Sequence, residues 1–191
     1  ENNQSGKVSV NNDKTFAEGS DTDWKQTKTE SNLVTEMQKT ITVNNNSNDI
    51  VVLVKMTDRA GNTSEKQIKI SIDKTNPVIE VKYDNNVSDE TYKDIFKANR
   101  TAKIKITERN FNGKDVIHRI TNTDDVIPAL SAWEEHKNTE NPDETYYTAT
   151  IAYTADGDYT FDISYSDLAD NAAEKFAQHK FTIDKTIPTV V

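Results

Sequence analysis

The sequence predicts an all-β chain built as two β-sandwich domains in series, and three observations carry that prediction. Runs such as Tyr159-Thr160-Phe161-Asp162-Ile163-Ser164-Tyr165 alternate apolar and polar residues with a period of two, the pattern of a half-buried strand. Helical periodicity is nearly absent. The stretch Asp58-Arg59-Ala60-Gly61-Asn62, followed by Ile72-Asp73-Lys74-Thr75-Asn76-Pro77, returns as Asp167-Leu168-Ala169-Asp170-Asn171 and Ile183-Asp184-Lys185-Thr186-Ile187-Pro188. Asp167 minus Asp58, Asn171 minus Asn62 and Trp133 minus Trp24 are each 109, while Asp184 minus Asp73 is 111. Two extra residues therefore fall between Asn171 and Phe181. A period this long repeats whole domains, not the short units of a solenoid.

Taken in chain order, Thr40-Ile41-Thr42-Val43 is the first strand signal. Ile50-Val51-Val52-Leu53-Val54-Lys55-Met56 predicts a strand that ends at Asp58, and 66–72 its hairpin partner. The second domain opens with strands over 78–83 and 102–107, continues with one around 116–120 and another over 149–153, and closes with 159–165 and 175–183. Tyr159, Phe161, Ile163 and Tyr165 share one face, and their counterparts Ile50, Val52, Val54 and Met56 are all apolar, so this face is predicted core. Thr160, Asp162 and Ser164 are predicted to meet water. In the turns, Asp58 and Asp167 are placed to accept backbone hydrogen bonds, with Asn62, Asn171 and Gly61 supplying left-handed backbone. About seven strands in roughly 108 residues suit a two-sheet sandwich. At the offset of 109 the first domain has no counterpart of 78–115. Two alternatives stand: a compact variant that uses Lys7 to Val10 differently, or a chain that starts inside a domain.

Composition sets further bounds. Hydrophobic residues make up 34% and charged residues 29% of 191 residues, polar for a folded chain but too rich in periodic apolar runs for disorder. The net charge of −9 argues against nucleic-acid or anionic-membrane partners. With no cysteine, neither a disulfide nor a thiolate nucleophile is available. The absence of an initiator Met, an apolar leader and any long apolar span leads us to expect an excised piece of a longer protein that does not insert into a membrane by itself. Residues 188–191 repeat the position of Pro77-Val78-Ile79-Glu80 and are read as the start of a following repeat, after domains at 1–77 and 78–187.

Asp156-Gly157-Asp158-Tyr159-Thr160-Phe161 resembles the tyrosine-corner segment of immunoglobulin domains, with Phe161 where a cysteine would stand. The first domain departs from it, because Ile50 replaces the tyrosine and Val52 the cysteine. The Asp-x-Ala-x-Asn turns, the two Ile-Asp-Lys-Thr-x-Pro endings and the segment Asn99 to Phe111 resemble bacterial Ig-like repeats of large Gram-positive cell-surface proteins. That resemblance implies tandem immunoglobulin-like β-sandwich domains, an extracellular place on the bacterial surface or cell wall, and neighbouring Ig-like repeats as partners. It implies a noncatalytic stalk or spacer. The alternatives are an adhesin or carbohydrate-binding module that takes host glycan or protein, and an accessory domain of a secreted carbohydrate-active enzyme. Some related surface domains carry intramolecular Lys–Asn cross-links; with so many of both residues no pair is singled out.

Between the domains lie only Asp73-Lys74-Thr75-Asn76-Pro77. Proline fixes its own backbone angle and pushes Asn76 toward extended geometry, so the joint is expected to be short and stiff. No catalytic motif is present. His118, His136 and His179 have no metal-ligand spacing and are read as solvated or strand-face residues. The acid pairs Asp124-Asp125 and Glu134-Glu135 are read as loop surface. For calcium, Asp58, Asp73, Asp167 and Asp184 sit at strand ends near the domain junction and offer hard oxygen ligands, against the plainer reading that they accept turn hydrogen bonds. Trp24 and Trp133 are read as packing elements ahead of sugar-stacking platforms. The segment 122–144 is the longest irregular stretch and the first place to seek a binding surface.

Overall fold

The computed structural model describes residues 3–12, 15–16, 24–30, 33–44, 46–58, 60–86 and 91–190. It is all-β, and among those residues there is no α-helix, only two three-residue 3-10 turns at Gly113–Asp115 and Pro142–Glu144. Among the described residues no helix is long and apolar enough to cross a membrane. The chain divides into two units, Glu1–Lys74 and Thr75–Val191.

The first unit contains β1 (Asn3–Asn12), β2 (Thr15–Phe16), β3 (Lys25–Glu30), β4 (Leu33–Gln38), β5 (Ser47–Asp58) and β6 (Thr63–Ile72). One antiparallel sheet runs β2-β1-β5-β6, and β3 and β4 form a separate two-stranded ribbon. Ile50 and Val52 are buried as expected, while Val54 and Met56 are only half-buried. The strand expected at Thr40 to Val43 does not form.

The second unit supplies the reason. It contains β7 (Val78–Tyr83), β8 (Ile95–Phe96), β9 (Arg100–Thr107), β10 (Ile117–Asn122), β11 (Glu134–His136), β12 (Tyr146–Tyr153), β13 (Gly157–Ser164) and β14 (His179–Ile183). The segment 149–152, which aligns with 40–43, forms its ladder with β9. Among the described residues the first unit has no counterpart of β9, so its segment has no ladder to join.

Two four-stranded sheets, β11-β12-β9-β7 and β10-β13-β14-β8, build this unit, antiparallel except where β8 runs parallel to β14. Alternation puts Ala102, Ile104 and Ile106 of β9 and Ile151 and Tyr153 of β12 on the inner face of one sheet. Tyr159, Phe161, Ile163, Phe181 and Ile183 answer from the other, and the two sets form one core with Phe96, Ile120 and Tyr165. Thr160 and Asp162 are half-buried and Ser164 is exposed on the opposite face.

Two expectations are corrected here. Among the described residues of this unit eight strands form where six were named and about seven expected, because β8 and β11 are too short to show a period. The last strand starts at His179, not at 175. An isolated bridge joins Ser166 to Ala172, the Ala173 N–H donates to the Tyr165 carbonyl at 2.9 Å, and Phe176 turns its ring onto Phe161. The two extra residues are thus absorbed in an irregular stretch before β14.

Candidate functional site

The Asp-x-Ala-x-Asn turns are side-chain clasps. In the first unit, Asp58 accepts the Asn62 N–H on Oδ1 and the Asn62 side-chain amide on Oδ2, both at 2.8 Å. In the second, Asp167 Oδ1 accepts from the N–H groups of Ala169 and Asn171, and Oδ2 from the Asn171 amide, each at 2.8 Å. The Asp and Asn types are required because one must accept twice while the other donates from both backbone and side chain. The left-handed residue of the first turn is Gly61, as expected, at φ 86°, and that of the second is Asp170 at φ 65°; neither Asn62 nor Asn171 takes that role.

The four aspartates expected near a calcium site do not cluster within either unit. Thr57 pairs with Thr63 and Ser47 with Ile72, so Asp58 and Asp73 lie at opposite ends of the β5–β6 hairpin. Gly157 pairs with Ile183, which separates Asp167 from Asp184 in the same way. Asp184 accepts the Thr186 N–H at 3.0 Å. Within the second unit Asp167 instead meets Glu108, a residue the sequence reading missed. Both are buried, and their carboxylate oxygens lie within 4.8 Å of each other. Glu108 also accepts the Asn110 N–H at 2.7 Å. Calcium takes about six to eight oxygens, so these two side chains do not by themselves complete its sphere.

The Ile-Asp-Lys-Thr endings form an exit clamp in both units. The Lys74 N–H donates to Asn46 Oδ1 and its Nζ to the Asn44 carbonyl, both at 2.9 Å. The Lys185 N–H donates to Asp156 Oδ2 at 3.1 Å and its Nζ to the Thr154 carbonyl at 2.6 Å. Lys185 Nζ also reaches Asn99 Oδ1 at 3.1 Å, and Thr186 Oγ1 donates to Asp156. Chiefly through the Lys185 N–H, these contacts hold the Asp156 carboxyl below its ordinary range. Lysine suits the position because a long donor must reach back two residues beyond the acceptor of its own N–H.

Just after that acceptor comes the corner expected at Tyr159, whose hydroxyl donates to the Ala155 carbonyl at 3.1 Å. Gly157 at φ 129° serves it, and an added Cβ there would come within 2.7 Å of the buried Asn122 side chain. Arg100, missed by the sequence reading, is buried with its guanidinium 3.8 Å from the Phe96 ring centroid and 4.0 Å from that of Tyr83. It donates to the Asn85 carbonyl and to Asn86 Oδ1. Desolvation lowers its pKa, against the pull of Tyr83 and nearby carboxylates.

His118 is exposed on β10. His179 Nδ1 lies 3.0 Å from the Tyr83 hydroxyl, and burial lowers its pKa. His136 Nε2 lies 3.0 Å from Thr148 Oγ1 and 4.0 Å from Glu134 Oε2. Both partners approach the same ring nitrogen, whereas a proton relay needs opposite nitrogens. Asp124 and Asp125 are exposed. Glu134 and Glu135 are exposed too but stand on β11, so they are strand residues and not loop; Glu135 accepts from the Tyr147 hydroxyl at 3.0 Å. Segment 122–144 is correspondingly less irregular than expected, since it contains β11, Leu130 bridged to Ile151, and the whole 3-10 turn Pro142–Glu144. Trp133 packs against the core, edge-on to Phe111 at 5.0 Å. Trp24 is half-buried, with Lys39 Nζ 5.9 Å from its ring. No protein-family model and no curated protein matches the chain.

Proposed function

We propose that this chain is a noncatalytic spacer, a pair of immunoglobulin-like β-sandwich modules from the stalk of a bacterial cell-surface protein. The observation that carries this reading is the exit clamp. The same Lys ties its own backbone and its side chain to the loop preceding the penultimate strand in both units. A device repeated at the end of each module, ahead of a proline and without a Gly/Ser linker, sets how one module hands the chain to the next. The clasped turns and the all-β cores suit a part that holds its shape. Neighbouring repeats of the parent protein are then its natural partners, and the exterior of the cell its place.

Small-angle scattering of the 191-residue chain tests the proposal. A spacer gives an elongated particle, whereas a profile for a single compact body overturns the reading.

A further inference from the structure

The outer face of the β11-β12-β9-β7 sheet carries charge of the wrong sign for this chain. The protein has a net charge of −9, yet Lys82, Lys103 and Lys105 stand together on β7 and β9. Register places Lys82 directly opposite Lys103, and Glu80 opposite Lys105. Glu80 holds Lys105 at 2.9 Å and reaches Lys82 only at 3.8 Å. Lys103 is exposed and has no acidic partner among the described residues. Like charges placed directly across a ladder destabilise it, so the folded state gains nothing from this pair.

These residues line a groove. Glu80, Lys82, Lys103, Lys105, Tyr146 and Thr148 bound a space of about 320 Å³, and Lys105 and Tyr146 also line a second space of about 780 Å³ beside His136. The Tyr146 ring is held in place by parallel stacking on His136 at 4.5 Å, and Lys105 Nζ lies 5.1 Å from its centroid. A pair of exposed ammonium groups beside a fixed aromatic ring is a recognition set for an acidic sugar. The anionic group supplies the partner that Lys103 lacks and that Lys82 has only at 3.8 Å, and the apolar face of the pyranose packs on the side of the Tyr146 ring turned away from His136, beside Lys105.

We propose that this groove binds an acidic saccharide, with a carboxylate or sulfate between Lys82 and Lys103 and the sugar ring against Tyr146. The occupant is a short acidic glycan and not nucleic acid. The chain as a whole repels a long polyanion, and a single ring offers no succession of stacking platforms. This inference is independent of the spacer reading, which stands or falls on scattering.

The test titrates the full chain with a uronic-acid trisaccharide, a sulfated disaccharide, their neutral counterparts and inorganic sulfate, read by calorimetry and by the NMR signals of the Tyr146 ring. We expect at least one acidic saccharide to bind and to shift Tyr146, its affinity falling as salt is raised. The uronic and sulfated arms distinguish carboxylate from sulfate as the recognised group. The variant K82Q/K103Q should bind at least about tenfold more weakly, with a melting temperature no lower than that of the parent because a like-charge pair has been removed. The proposal is overturned if neutral sugars bind as well as acidic ones, or if inorganic sulfate binds as tightly as the sulfated disaccharide. It is equally overturned if K82Q/K103Q retains full affinity, or if no acidic saccharide moves the Tyr146 signals.

Discussion

Tyr153 and Tyr159 stand edge to face in one core with ring centroids 5.0 Å apart, yet their hydroxyls meet opposite fates. The Tyr159 hydroxyl closes the corner on the Ala155 carbonyl, whereas the Tyr153 hydroxyl is buried with no hydrogen-bond partner. The same chemical change therefore has opposite signs at the two sites. Tyr159→Phe should lower stability by about 1 kcal/mol, leaving a carbonyl unpaired, and Tyr153→Phe should raise it by about 1 kcal/mol by removing an unsatisfied group. Denaturant titration of the two variants measures both, and equal shifts of one sign would contradict the assignment. The corner was legible in sequence because Asp156-Gly157-Asp158-Tyr159 is a local signal. Arg100 was not, because the Phe96, Tyr83 and Phe181 rings that surround it come from three different strands.

Among elements, the exit clamp makes the sharper prediction. Lys185 is the donor that fastens the chain after β14 to Thr154 and Asn99, and its side chain remains partly exposed. Lys185→Met removes those donors without touching the core. The melting temperature should move little, since exposed polar contacts contribute weakly, while amide hydrogen exchange over 184–186 should quicken as local opening becomes easier. Unchanged exchange there would mean the clamp does not hold the exit. Long strands were readable because β13 carries its own alternation and its own turn clasp. β8, β11 and the late start of β14 were not, since strands of two to five residues are decided by which neighbour offers a ladder. The failed strand at Thr40 to Val43 is the same lesson reversed, with apolar alternation present and a partner lacking. Glu108, which meets Asp167 at the far end of the core, escaped notice because nothing in its local sequence marks it as buried.

For the molecule as a whole, alkaline pH probes the second core selectively. Burial pushes Tyr83 and Tyr147 up to about 12, and it also raises Tyr153, Tyr159 and Tyr165. In the unfolded chain these phenols ionise near 10. Between about pH 10 and 12 the native state thus keeps protons that the unfolded state has lost, and stability falls as pH rises through that window. Tyrosinate absorbance should climb together with loss of the folded signal, and a smooth titration near pH 10 that leaves the fold intact would refute this. Charge and missing cysteine were legible from composition alone, but the lysine groove was not, because Lys82 and Lys103 become neighbours only through the β7–β9 register. One asymmetry between the sheets has a practical outcome. The two-residue β8 runs alongside β14 and shields its flank, while β6, ten residues long and exposed along most of its length, stands at the edge of its sheet with no further strand paired to it among the described residues. Such an edge invites a foreign strand to add, and the charges of Glu65, Lys66 and Lys69 are what discourage one. Chemical acetylation of those lysines would therefore make the first unit, sooner than the second, the seed of fibrous self-association.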